Sequence, residues 1–114
     1  MPMGTRKFDR IHIVSKTMVM INNHNFEALT EDLSLNGVLI HTEHQIPVGK
    51  MASVSLSLPS VSRSTPVTID GVVVRNNEQS VAFQFKSVDH DTFSFLKTVI
   101  ERNSPYRQKE YGNA

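Results

Sequence analysis

Met51-Ala52-Ser53-Val54-Ser55-Leu56-Ser57-Leu58-Pro59 sets Val54, Leu56 and Leu58 against Ser53, Ser55 and Ser57 in strict alternation. A period of two is that of a β-strand with one face on a core and the other in water. Upstream, beyond Pro47-Val48-Gly49, the apolar Val38, Leu39 and Ile40 predict a short strand over residues 37–42, and residues 26–30 predict another. Asn22-Asn23-His24-Asn25 reads as a turn, because asparagine tolerates left-handed backbone, and residues 11–21 read as a strand broken near Ser15-Lys16. Downstream of a Ser-rich loop at 60–66, residues 67–75 and 80–88 predict a hairpin across Asn76-Asn77-Glu78-Gln79. The last element changes period: Phe93, Leu96 and Ile100, supplemented by Phe95 and Val99, repeat at helical spacing, with Asp89 or Asp91 to cap and Asn103 and Pro105 to stop. About six short strands and one amphipathic helix predict an all-β fold, a small antiparallel barrel with the helix across one opening.

At 114 residues the chain is one domain. Three segments are expected: a mobile arm at 1–10, in which only Phe8 could anchor to a core, the barrel and helix at 11–103, and a polar tail at 104–114. The initial Met suggests a nearly complete small protein, a reading that a domain cut from a longer chain shares. Twelve Lys plus Arg against eleven Asp plus Glu give a net charge of +1, too little for the broad positive field that binds a nucleic-acid backbone. An anion must therefore meet a local cluster. Cysteine is absent, which excludes a disulfide framework, a thiolate nucleophile and a cysteine zinc site. The opening residues lack an apolar signal region and no apolar run spans a bilayer, so a cytoplasmic location is expected.

Two patterns stand out against this frame. Arg6 and Arg10 form R-x-x-x-R, and Asp32-Leu33-Ser34-Leu35-Asn36-Gly37 forms D-x-S-x-x-G on the connection expected between two strands. In this order, one strand apart, they resemble the PilZ domain, the bacterial receptor module for the second messenger cyclic di-GMP. PilZ domains are six-stranded antiparallel barrels, and Val81-Ala82-Phe83-Gln84-Phe85 looks like their late G-x-x-F-type strand with Ala82 in the glycine's place. The resemblance implies a ligand with two phosphodiester charges and two guanines, held by Arg6, Arg10, Asp32, Ser34 and Gly37, and no other cofactor.

Those residue types suit that ligand. An arginine fork donates two parallel hydrogen bonds to guanine O6 and N7 or to phosphate, and its flat face stacks on a base. A carboxylate at Asp32 accepts from guanine N1–H and N2–H, a pattern adenine cannot present. The Ser34 hydroxyl can donate to a phosphate or satisfy the turn, and Gly37 allows a positive φ or a close approach. Ordering of the arm on binding would turn occupancy into a new surface for a downstream partner in motility, adhesion or biofilm output.

Other residues carry two readings each. Arg75 either reaches the ligand or is a solvated edge residue, and Lys7 either adds charge near the phosphates or is plain surface. His41 and His44 are three apart, which on a strand points them to opposite faces and argues against a metal pair. Asp89-His90-Asp91 suits helix capping better than acid–base chemistry, and no nucleophile–base set is evident, so no enzymatic activity is expected. A ligand-independent adaptor is the alternative. Single-stranded nucleic-acid binding by an OB-like barrel would need aromatic platforms, whereas Phe83, Phe93 and Phe95 read as core.

Overall fold

The computed structural model describes residues 10–58 and 66–103. Seven strands precede one helix: β1 (Ile11–His12), β2 (Lys16–Ile21), β3 (His24–Leu33), β4 (Gly37–His41), β5 (Met51–Leu56), β6 (Val67–Asn76), β7 (Ser80–Ser87) and α1 (His90–Asn103). All pairings are antiparallel, and the order β3-β2-β5-β6-β7-β4 closes on itself through β3–β4. The result is a six-stranded barrel. The seventh strand, β1, continues the line of β2 along the same edge of β3, with Ile11 and His12 opposite Leu33 and Asp32. The break expected near Ser15-Lys16 is therefore a kink within one edge.

Alternation places the core as the sequence suggests. Ala52, Val54 and Leu56 of β5 point inward, joined by Val67, Ile69 and Val73 of β6 and by Val81 and Phe83 of β7. The helix adds Leu96, Val99 and Ile100 to the same cluster, at the spacing of one helical face. In a closed barrel an outside element reaches that interior only at an open end, so α1 packs across an opening. Asp89 caps it, its carboxylate accepting from the Thr92 N–H at 2.7 Å.

Three expectations are corrected. The β2–β3 turn is only Asn22-Asn23, with Ile21 opposite His24 and Asn22 in the left-handed region at φ 54°. One asparagine suffices to reverse the chain, and His24 and Asn25 are free to pair. β3 runs ten residues instead of five, so Asp32 lies on the strand and only Ser34, Leu35 and Asn36 form the connection to β4. Phe93 is 37% exposed, because Leu96 and Ile100 already define the inward face of α1, while Phe95 packs partly buried against the core. His41 and His44 diverge, but not as two positions of a strand, because β4 ends at His41: His41 Nδ1 lies 3.2 Å from Glu31 Oε2, and His44 stacks on Phe26 with ring centroids 3.9 Å apart. No helix among the described residues is long and apolar enough to cross a membrane.

Candidate functional site

The kink between β1 and β2 also builds one wall of the site. Thr30, fully buried, accepts the Ser15 N–H through its hydroxyl at 3.0 Å and donates to the Ile13 carbonyl at 2.8 Å. Two backbone groups that leave the ladder at 13–15 are thereby satisfied. The Thr30 N–H donates to the Ser15 carbonyl at 2.8 Å, and the Ile13 N–H to the Glu31 carbonyl at 3.0 Å. Pinned this way, β1 lies against the far end of β3 with His12 opposite Asp32, and Arg10 immediately precedes the strand. Thr30→Val should lose about 1–2 kcal/mol, because it leaves the half-buried Ser15 N–H without a partner. Chemical denaturation, read as a shift in midpoint at constant slope, measures that loss.

Two β-bulges decide which side chains face outward. In β3 the inward phase falls on even positions such as buried Thr30, and a strictly regular strand would aim Asp32 into the core. One extra residue, Glu31, opposes the β4 ladder between Thr30 and Asp32, so the register resumes with Asp32 outside and Leu33 inside. In β6 the inward phase is odd: Val67, Ile69, Gly71 and Val73 are buried. Val74 is the extra residue there, and it turns Arg75 outward opposite Ala82. Each bulge spares a charge a place in the apolar interior.

The turn between β3 and β4 is fixed by Ser34. Its hydroxyl oxygen accepts from the N–H groups of Asn36 and Gly37, both at 3.2 Å, while its N–H donates to the Gly37 carbonyl at 3.0 Å. Of the two roles open to Ser34, satisfying the turn is thus occupied. The Phe85 N–H then donates to the Asn36 carbonyl at 2.8 Å, bolting the turn onto β7. Gly37 serves through close approach and not through a positive φ: a Cβ there would collide with the Phe83 carbonyl oxygen.

These elements enclose an open cleft of about 380 Å³ on the outer face of the barrel, across β3, β4, β7 and β6. Arg10, Asp32, Ser34 and Gly37 line it, and so does Arg75, for which the sequence favoured a solvated edge position. Arg6 and Lys7 lie outside the described residues. Leu39, Val74 and Ala82 supply an apolar floor, with Asn36 and Gln84 as amides at its margin. None of these five was expected at the site from sequence, and Ala82 was noted only as the residue in the glycine's place. A usable signal existed for Arg75 and Asp32: a charge falling on the buried phase of an alternating strand indicates a bulge. The cleft therefore offers guanidinium groups, a carboxylate and a flat apolar base within one volume. That combination suits a planar, hydrogen-bonding anion.

The PilZ domain family model matches residues 4–102, and the chain belongs to the PilZ domain family. No curated protein sequence matches it. Among solved structures, the PilZ domain of Escherichia coli YcgR with c-di-GMP is similar at a TM-score of 0.72 and 14% identity, covering 96% of this chain and 98% of that one. The Bacillus subtilis inhibitor of motility MotI/DgrA gives a TM-score of 0.72 at 15% identity over 85% of this chain, which spans 50% of that protein's length. Borreliella burgdorferi PlzA, in complex with c-di-GMP, gives 0.52 at 16% identity over 80% of this chain and 38% of its own. At such identities the likeness is one of fold.

Proposed function

We propose that this chain is a non-enzymatic receptor for cyclic di-GMP, and that occupancy regulates a downstream protein partner. The observation that carries this reading is the meeting of Arg10, Asp32 and Arg75 around one cleft with an apolar floor. Arg10 and Arg75 hold phosphate or the Hoogsteen edge of guanine, Asp32 accepts from the Watson–Crick edge, and Leu39 and Ala82 lie under the base. Arg6 and Lys7 stand four and three residues before Arg10, within roughly 14 Å of extended chain, and so have the reach to close on the same ligand. Family membership supports the choice of ligand, and two similar structures contain c-di-GMP. The likeness to an inhibitor of motility makes motility the first output to examine.

Titration calorimetry of the whole chain tests the proposal and reports ligand number together with affinity. Arg10→Ala should weaken binding roughly fivefold to a hundredfold, the range for losing one bidentate guanidinium contact. No heat from the unmodified protein at tens of micromolar ligand would defeat the receptor reading, leaving the ligand-independent adaptor.

A further inference from the structure

We infer that His12 is a positioning residue for Asp32, presenting its carboxylate to the guanine edge; this rests on the receptor reading. His12 sits directly opposite Asp32 in the β1–β3 register, and its Nδ1 lies 3.3 Å from Asp32 Oδ1. A carboxylate only accepts, so the proton of this bond is on Nδ1 and the ring's tautomer is set by the contact. Arg10 immediately precedes β1, and Arg10 and Asp32 both line the cleft. Among the described residues, Asp32 is held at one oxygen only.

That division has a consequence for recognition. A carboxylate offers about four acceptor positions. With Oδ1 tethered by one of its lone pairs, the group keeps acceptors on both oxygens while its χ2 rotation is restricted. Guanine needs two roughly parallel acceptors for N1–H and N2–H, which a freely turning carboxylate presents only part of the time. Aligning Asp32 in advance lowers the ordering cost of binding without a contact between His12 and the ligand. His12 itself is 73% exposed at its side chain, so its loss disturbs little packing.

Calorimetry with cyclic di-GMP on the full chain tests this through three variants. His12→Ala should weaken binding about threefold to fivefold, the scale of an exposed charge-assisted pair, with the melting temperature nearly unchanged. In His12→Asn the amide nitrogen falls near the place of Nδ1, so affinity should return to within about twofold of the parent. Asp32→Ala should remove the effect of the second substitution, His12→Ala adding less than about 1.5-fold in that background. Parent-like affinity in His12→Ala, failure of His12→Asn to restore binding, or full additivity with Asp32→Ala overturns the inference. Should His12→Ala not fold, His12→Gln, whose amide nitrogen sits one bond further out, replaces it, and parent-like binding in that variant counts against the proposal. A parent protein that releases no heat defeats the receptor reading and this inference together, whereas a binding parent with an indifferent His12→Ala defeats the inference alone.

Discussion

Gly37→Ala should lower the melting temperature by roughly 10 °C or more and remove ligand binding with it. The added Cβ meets backbone on every near side: the Phe83 carbonyl oxygen and carbon, the latter at 3.2 Å, and the Gln84 Cα at 3.3 Å. None of these is the end of a flexible side chain, so relief requires β4 to move off β7, opposite Gln84 in the ladder that closes the barrel. Overpacking of this kind costs about 2–3 kcal/mol, and in a domain of this size each kcal/mol is worth several degrees. Because the Asn36 carbonyl and the Ser34 hydroxyl are tied to the same turn, the cleft's rim shifts too. Gly49→Ala is the matched control. Its φ of +94° strains any side chain, but open space surrounds the position, so a loss of about 1 kcal/mol and no change in binding are expected. Calorimetric melting of the two variants side by side distinguishes a close approach from a left-handed turn; equal losses would contradict the assignment for Gly37.

Ala82→Trp is expected to abolish binding while leaving the barrel intact. Ala82 faces outward between the buried Val81 and Phe83, with Arg75 opposite on one side and Leu39 on the other, in the floor of the cleft. An indole there occupies the space a base would take and touches nothing in the core. Affinity should drop at least about a hundredfold, near 2.7 kcal/mol, with a melting temperature within a few degrees of the parent. Binding retained to within about threefold would move the ligand off this floor and onto another surface.

Much of the architecture was legible from period alone. Val54, Leu56 and Leu58 announce β5, Leu96, Val99 and Ile100 announce the packed face of α1, and the R-x-x-x-R and D-x-S-x-x-G patterns name the family before any coordinate is seen. What stayed hidden has a common cause. Strand bounds depend on partners distant in sequence: β3 extends to Leu33 because β1 and β4 pair with it there, which residues 26–33 do not reveal. Phe93 has the spacing of a core residue, yet a helix with one narrow seat on a small barrel buries only three large side chains fully. The placement of Arg75 was undecidable for the same reason, since it depends on Val74 finding no counterpart in β7. Gly37 was read for its chemistry correctly, but only the proximity of Phe83 selects close approach over a left-handed turn.

The supernumerary residues beside the two site charges, Glu31 and Val74, have an implication for protein engineering. A recognition set copied onto a different small barrel by matching Asp32 and Arg75 alone would arrive inside out, its charges aimed at hydrocarbon. Grafting has to carry the inserted neighbour along with each charge, so the heritable unit of specificity here is a dipeptide in each strand, Glu31-Asp32 and Val74-Arg75, rather than one amino acid.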